Sequence, residues 1–160
     1  MFKKILVPLD GSDLATKIIP QVADLARSQN AELVLLNVYN LYSGWGEPIT
    51  DKEKIGSEEE LSELMKIKNC KAYLTRNAQD LEGVKTSVVC INGTPAEEII
   101  AYADKHGVDL IAMATHSRSE VAWVLGSVAE KVASRATIPV LLLRVVDIKP
   151  PKAKVVFDPL

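Results

Sequence analysis

The sequence has only two cysteines and two histidines among its 160 residues. Two cysteines in a domain of this size do not form a disulfide framework, and Cys70 and Cys90 lack the spacing of metal ligands. We therefore expect two buried or idle thiols. Neither His106 nor His116 has a sequence neighbour that marks a nucleophile, so a Ser-His-Asp arrangement is not indicated. A hydrolase is thus the least favoured class of function.

Long hydrophobic runs and an excess of positive charge are also lacking. No apolar run approaches the ~20 residues that a membrane-spanning helix needs. The first apolar run, in MFKKILVPLDGS, ends at Pro8 and Asp10 and carries no small-residue cleavage site, so it does not resemble a signal peptide. A net charge of −2 and a pI of about 5.7 give no broad cationic face. We expect a cytoplasmic protein that binds neither membrane nor nucleic acid.

What the sequence does contain is a regular alternation of short apolar runs and helical patterns. The runs lack polar alternation, which is typical of parallel strands covered by helices on both faces. We predict an α/β fold with an open five-stranded, mostly parallel sheet and helices on both faces. The predicted domain covers residues 1–146, followed by a tail over 147–160. Strands are expected over 4–9, 32–38, 86–91, 109–114 and 139–146, and helices after Ser12, over 58–80, 95–106 and 127–135.

Polar residues that follow the predicted strands are the candidates for a ligand site, because ligands bind beyond the carboxyl ends of strands in open α/β sheets. Asp10 follows the first strand; its carboxylate either accepts hydrogen bonds from a ribose or base, or forms a local turn with the region of Ser12. Gly126 and Ser127 stand at a helix start whose backbone N–H groups can hold a phosphate. The alternative is that Ser127 only caps its helix and Gly126 only turns the chain.

The segments KKILVPLDGS, GTPAEEII, MATHSRS and LGSVAEKVASRATIPVLLLR together resemble the universal stress protein family. The similarity spans nearly the whole chain. It implies a Rossmann-like, adenine nucleotide alpha hydrolase-like sheet of order 3-2-1-4-5, and a homodimer in which the last strands pair across the two-fold axis. One branch of the family binds ATP through a glycine motif after the fourth strand, spaced G-x2-G-x9-G-[S/T]. Another branch lacks the motif and does not bind ATP.

The resemblance assigns specific residues to a nucleotide site. Gly126 and Ser127 match the last two motif positions, Asp10 matches the aspartate after the first strand, and Val38 matches an apolar residue near the adenine. The loop residues His116 and Arg118 add positive charge. The whole predicted site consists of Pro8, Leu9, Asp10, Val38, Met113, Ala114, His116, Ser117, Arg118, Gly126, Ser127 and Val128.

The glycine motif is altered in this sequence. Ala114 and Ser117 stand where the first two glycines are expected, and eight residues instead of nine separate Ser117 from Gly126. A side chain at a position that needs positive φ costs roughly 1–2 kcal/mol. A misplaced phosphate-binding N–H costs about 1.5–3 kcal/mol. If both terms apply, the affinity of the loop for a nucleotide falls by roughly 10²-fold or more. Two residues oppose this loss, because Ser117 adds a hydroxyl donor and Arg118 keeps a positive charge in the loop.

The sequence leaves two functions open. The first is a regulatory or sensor protein that binds ATP, or AMP or ADP, with Mg²⁺ or Mn²⁺ accompanying the phosphates, and that has little or no catalytic activity. The second is a dimeric interaction module that binds no nucleotide. Such a module would bind an unidentified protein partner through the glycine-rich loop over 40–57 or through the tail.

Overall fold

The computed structural model describes residues 1–40, 58–115 and 125–145, with the backbone alone for residues 58–60. The predicted tail, most of the predicted loop over 40–57 and residues 116–124 lie outside the described residues. The elements, in chain order, are β1 (Lys4–Pro8), α1 (Asp13–Thr16), α2 (Ile19–Gln29), β2 (Glu32–Tyr39), α3 (Glu58–Ala78), β3 (Thr86–Asn92), α4 (Pro95–Lys105), β4 (Leu110–Ala114), α5 (Ser127–Arg135) and β5 (Val140–Leu143).

The five strands form one sheet of order β3-β2-β1-β4-β5, and every neighbouring pair is parallel. The predicted fold class and strand order are therefore confirmed. At the centre, Leu6 of β1 pairs with Val34 of β2 on one side and with Ile111 of β4 on the other. The strands β2 and β3 extend the sheet on one side of β1, and β4 and β5 extend it on the other side. This reversal of the strand order opens a crevice at the carboxyl ends of β1 and β4, where ligands bind in open α/β sheets.

Two apolar layers hold the sheet between its helices. Successive side chains of a strand point to opposite faces, so Ile5 and Val7 enter the layer that contains the buried side chains of α2 and α3, and Leu6 enters the layer shared with α4 and α5. All three side chains are fully buried. Burying a side chain of this size contributes about 1.5–3 kcal/mol, which explains why the strands are apolar on both faces.

The predicted single helix after Ser12 is wrong, because the chain forms two helices there. Ser12 is the N-cap of α1, and its hydroxyl oxygen accepts a hydrogen bond from the Ala15 N–H at 3.2 Å. The break before α2 has a physical cause in Pro20. Proline has no N–H to donate, and in a continuous helix its ring would collide with the carbonyl group of Thr16, four residues earlier. Pro20 is accommodated in the first turn of α2 instead.

Residues that tolerate positive φ stand at the ends of two helices. Asn30 ends α2 in the left-handed conformation with φ of 52°, and Gly107, with φ of 65°, follows the last residues of α4. Thr94 is the N-cap of α4, and Pro95 is its first residue, where the predicted helix over 95–106 begins. The Thr94 side chain, however, makes no capping hydrogen bond, so only the position of this helix start was predictable.

The expectation of two idle thiols is wrong, because Cys70 and Cys90 form a disulfide. Cys70 and Leu74 lie one turn apart on α3 and are both buried, so this face of the helix packs on the sheet. The packing brings Cys70 over β3, with 6.2 Å between the Cα atoms of the two cysteines, a separation that a disulfide spans. The spacing of the two residues in the sequence carries no sign of this contact between a helix and a strand.

Candidate functional site

A cleft of about 960 Å³ lies at the carboxyl ends of β1, β2 and β4. Its walls come from the residues after these strands, from one face of α3 and from the N-terminal turns of α4 and α5. The structure places these residues of the sequence-predicted site in the lining: Pro8, Leu9, Asp10, Val38, Met113, Ala114, Gly126, Ser127 and Val128. Their role toward a ligand stays a prediction. The other three predicted residues, His116, Ser117 and Arg118, lie outside the described residues.

The N-terminus of α5 faces this cleft without a side-chain cap. Its N-cap residue is Gly126, so the interpretation of Ser127 as the cap is wrong; Ser127 is the first helical residue. In any α-helix the first N–H groups have no intrahelical acceptor, and here these belong to Ser127, Val128 and Ala129, which all line the cleft. Together with the helix dipole they make this corner of the cleft attractive to an anion.

Gly126 is fixed by a close contact with the end of β4. Its N–H donates a hydrogen bond to the carbonyl oxygen of Thr115 at 2.9 Å. This N–H is therefore engaged within the fold, and the role of Gly126 toward a phosphate stays a prediction. A Cβ atom at Gly126 would lie 3.1 Å from the same carbonyl oxygen, which is tighter than an ordinary contact. The close approach of the two backbone segments, rather than an unusual φ, thus favours glycine at this position.

Asp10 forms the local turn that the sequence left as one of two alternatives. Its Oδ1 atom accepts hydrogen bonds from the Ser12 N–H at 3.0 Å and from the Ser12 hydroxyl at 2.6 Å. The turn also holds the carboxylate at the mouth of the cleft. Behind it, the buried Asn37 donates from Nδ2 to the Leu9 carbonyl at 2.7 Å and so ties the end of β1 to β2. A carboxylate has two oxygens with about four acceptor sites, so the two hydrogen bonds of the turn do not prevent Asp10 from contacting a ligand.

Sequence reasoning missed the wall of the cleft that α3 provides. Lys66, Asn69, Cys70 and Tyr73 all line the cleft, and their spacing places them on one face of the helix. Lys66 donates from Nζ to the Asn40 carbonyl at 2.9 Å. The Tyr73 hydroxyl donates to the carbonyl of Ser12, also at 2.9 Å. No spacing within α3 marks these residues as cleft lining, because the way in which the helix docks on the sheet determines which face meets the cleft.

Thr115, at the end of β4, is a further lining residue that the predicted site did not include. The residue is 7% exposed, and within the described part of the chain its buried Oγ1 atom has no hydrogen-bond partner. A buried hydroxyl without a partner costs about 1–3 kcal/mol. Such an atom beside a cleft is typical of a site whose polar groups are completed by a ligand or by water.

Protein side chains do not form a metal site in the described ranges, where no group of three or more histidine, cysteine, aspartate or glutamate residues could hold an ion. In the same ranges, none of the helices has the combination of length and hydropathy that a membrane span requires.

The fold and the cleft define an α/β protein with an anion-attracting helix N-terminus at the reversal of its strand order. The model of the universal stress protein family matches residues 1–144. The chain belongs to the universal stress protein family, as the resemblance of the sequence segments predicts. Its sheet is of the Rossmann-like, adenine nucleotide alpha hydrolase-like type found in this family.

Individual relatives are similar over most of their length. Universal stress protein MJ0531 of Methanocaldococcus jannaschii is 34% identical over 146 residues, which cover 90% of this chain and 83% of that protein. YxiE of Bacillus subtilis is 33% identical over 90% of this chain and 100% of its own. Among solved structures, MJ0577 of Methanocaldococcus jannaschii superposes with a TM-score of 0.73 at 28% identity, covering 90% of this chain and 96% of that one.

A universal stress protein solved in complex with cAMP also superposes, with a TM-score of 0.64 over 91% of this chain and 98% of that chain. The two sequences are 18% identical, so this likeness shows the shared fold alone.

Tyr73 offers a direct test of the wall that α3 forms. Burial, followed by the negative charges of Asp10 and Asp13, raises the pKa of Tyr73 from 10.0 to about 12. The unfolded chain loses this proton near pH 10 and the folded chain keeps it until about pH 12. Tyr73 therefore stabilises the fold fully below pH 10, and its contribution is lost as the pH rises through this interval.

We expect a titration of tyrosinate absorbance to show this residue directly. Subtracting the curve of a Tyr73→Phe variant from that of the wild type should leave one group that ionises near pH 12. Tyr102→Phe is a matched control, because Tyr102 lies on α4, away from the two aspartates. A difference curve with its midpoint at the ordinary tyrosine value near pH 10 would show that Tyr73 does not pack against the Asp10 turn.

Proposed function

We propose that this protein is a regulatory or sensor protein that binds an adenine nucleotide, in the first place ATP, in the cleft at the carboxyl ends of β1, β2 and β4. The observation that carries the proposal is the N-terminus of α5, which is capped by a glycine and lines this cleft. A glycine provides no side-chain cap, so the first N–H groups of the helix stay available. Such a helix N-terminus, at the point where the strand order reverses, is an arrangement with which α/β proteins bind phosphate.

The phosphates are assigned to the N–H groups of Ser127, Val128 and Ala129 and to the hydroxyl of Ser127, which is exposed at the first position of α5. Each N–H that donates to a phosphate oxygen contributes about 1.5–3 kcal/mol. The hydroxyl of Thr115, buried and without a partner in the described residues, supports a polar ligand group or an ordered water in the same corner.

The adenine and the ribose are assigned to the other side of the cleft. Val38 and Met113 supply apolar lining at the ends of β2 and β4, and Pro8 and Leu9 supply it at the end of β1. Asp10 is held at the mouth by its turn with Ser12, where its carboxylate accepts a hydrogen bond from a ribose hydroxyl.

A divalent cation, Mg²⁺ or Mn²⁺, would enter with the phosphates, since the described side chains form no metal cluster of their own. When bound, the ion neutralises phosphate charge. We infer little or no catalysis, because Asp10 is the one carboxylate in the described lining and is assigned to the ribose. A cytoplasmic location fits this role and is part of the proposal.

The altered loop favours a second candidate function, an interaction module that binds no nucleotide and acts through a protein partner. Of the two replaced glycines, Ala114 is the last residue of β4, where the extended backbone accommodates its methyl group. Ser117 lies outside the described residues. The second candidate, the interaction module, is therefore supported by the sequence of the loop, which is one residue shorter than the glycine motif of the ATP-binding branch. The two functions differ in whether the α5 N-terminus ever holds a phosphate.

A charge placed at the α5 N-terminus separates the two functions. In a Ser127→Asp variant the new carboxylate lies at the position assigned to a phosphate, and like charges ~4 Å apart repel by about 4 kcal/mol at a protein surface. We expect the affinity for ATP with Mg²⁺, measured by isothermal titration calorimetry, to fall at least about 100-fold. Thermal stability should be unchanged or higher, because an acidic residue in the first turn suits the helix dipole.

The matched control is Ser134→Asp, which introduces the same charge on an exposed serine in the last turn of the same helix. This variant should keep the wild-type affinity for ATP while losing a little stability through the helix dipole. Wild-type protein that gives neither heat nor a thermal shift at millimolar ATP would reject nucleotide binding in favour of the interaction module.

We also propose that the protein is a homodimer in which β5 pairs with its symmetry-related copy. β5 is an edge strand of the described sheet. The carbonyl groups of Pro139 and Leu143 accept hydrogen bonds from β4, so by strand alternation the N–H and C=O groups of Leu142 point away from the sheet. An exposed row of such groups favours pairing with a second chain.

Leu142→Pro tests this interface, since proline removes the outward N–H and leaves the ladder with β4 intact. Light scattering should give twice the chain mass of 17.5 kDa for the wild type and the single mass for this variant. Leu142→Val keeps the N–H group and should remain dimeric. A wild type that is monomeric at micromolar concentration, or a Leu142→Pro variant that stays folded and dimeric, would contradict the proposed strand pairing.

A further inference from the structure

The disulfide between Cys70 and Cys90 lies directly beside the cleft. Cys70 is 5% exposed and belongs to the cleft lining, between the other lining residues Lys66 and Tyr73 of α3. Its partner Cys90 is partly buried on β3, the edge strand at the opposite end of the sheet from β5. The bond therefore ties the α3 wall of the cleft to the sheet covalently.

Apolar burial gives this wall little support of its own. Among the side chains of α3 from residue 61 to residue 78, only Cys70 and Leu74 are buried. In the turns before Cys70, Leu61 is 62% exposed and Leu64 is 63% exposed. Side chains that stay in water contribute little to docking, because the stabilisation follows the apolar area removed from water.

Beside the disulfide, the described contacts of the wall include two hydrogen bonds and the packing of the partly buried Tyr73 against the core. Lys66 reaches the Asn40 carbonyl from an exposed position, and Tyr73 reaches the Ser12 carbonyl from a half-buried one. A typical hydrogen bond contributes modestly to stability because it replaces one with water. The disulfide is thus the strongest link between the sheet and the half of α3 that precedes Leu74.

We propose that the Cys70–Cys90 disulfide is a redox-modifiable site whose reduction by a dithiol releases the α3 wall of the cleft. A thiolate of the dithiol attacks one sulfur, the bond between the two cysteines breaks, and a mixed disulfide forms. The second thiol then closes the dithiol into its own disulfide. Two electrons and two protons pass to the protein, which is left with two cysteine thiols, and the dithiol is oxidised.

The location of Cys70 couples this reaction to the ligand, a consequence that rests on the proposed function. If reduction loosens the wall and lowers the affinity for a nucleotide by some factor, linkage requires that bound nucleotide disfavours reduction by the same factor. Disulfides in cytosolic proteins are commonly transient or redox-sensing, in keeping with such a role.

Hydrogen exchange tests the release of the wall without any ligand. We expect amides of α3 before Leu74 to exchange at least about 10-fold faster in dithiothreitol-reduced protein than in oxidised protein, since opening of a segment controls the exchange of its amides. Amides of β1 and β4 should be unchanged. Equal exchange of α3 in the two states would overturn the proposal, as would two free thiols found by titration of the purified protein under non-reducing conditions.

A Cys70→Ser, Cys90→Ser double variant is the control for the reagent. It should show the fast exchange of the reduced protein and no further response to dithiothreitol. Should the double variant fail to fold, reduced wild type with an unchanged far-ultraviolet circular dichroism spectrum supplies the same comparison. Fast exchange over the whole sheet of the reduced protein would mean that the disulfide supports the entire fold. That result would also overturn the proposal, which assigns the disulfide a role in the α3 wall alone.

Titration with ATP and Mg²⁺ then tests the coupling to the cleft. We expect the reduced protein to bind about 10-fold more weakly than the oxidised protein, and ATP to slow the reduction of the disulfide. Equal affinities in the two states, with fast exchange in the reduced one, would overturn the coupling. If neither state binds ATP, the proposed function fails, and the exchange comparison alone decides whether the disulfide controls the wall.

Discussion

The pairing of β1 with β2 on one side and with β4 on the other is the constraint on which the rest of the structure depends. Because both pairings are parallel, the carboxyl ends of the three strands meet at one edge of the sheet. The connections after β1 and β4 must then diverge to opposite faces, which leaves a cleft between them. The site follows from the topology, and the side chains at the strand ends determine its chemistry.

The two sides of this cleft are built differently. On the α5 side, the hydrogen bond from Gly126 to the Thr115 carbonyl holds the helix start against the sheet, and the absence of a Cβ atom permits the close approach. On the α3 side, a disulfide, the buried Leu74 and two hydrogen bonds are among the contacts that hold a helix in which Leu61 and Leu64 are exposed. The proposed phosphate site on the α5 side and the proposed redox-controlled wall on the α3 side together suit a protein that senses a ligand rather than transforming it.

Much of the fold could be predicted from the sequence because local patterns determine it. Unbroken apolar runs indicated strands buried on both faces, and Asn30 and Gly107 marked helix ends by their tolerance of positive φ. The break at Pro20 is also encoded locally, because proline cannot continue the preceding helix. Contacts between distant segments were not predictable in this way. The disulfide and the cleft wall of Lys66 and Tyr73 depend on how α3 docks, which no spacing within the helix reveals.

The site could be predicted only in part for the same reason. The family resemblance pointed to Asp10 and Ser127, but the engagement of the Gly126 N–H with Thr115 appears only when β4 and α5 are placed together. Which N–H and C=O groups of a residue are available to a ligand depends on the hydrogen bonds that they already form inside the fold.

The central claim is that the α5 N-terminus holds the phosphates of an adenine nucleotide, and nuclear magnetic resonance tests it most directly. In a titration of isotope-labelled protein with ATP and Mg²⁺, the amide signals of Ser127, Val128 and Ala129 should shift together and saturate. Adenosine should shift signals near Val38 and Asp10 without moving those three amides to the same extent. Unshifted α5 amides at millimolar ATP, or shifts confined to another face, would contradict the account.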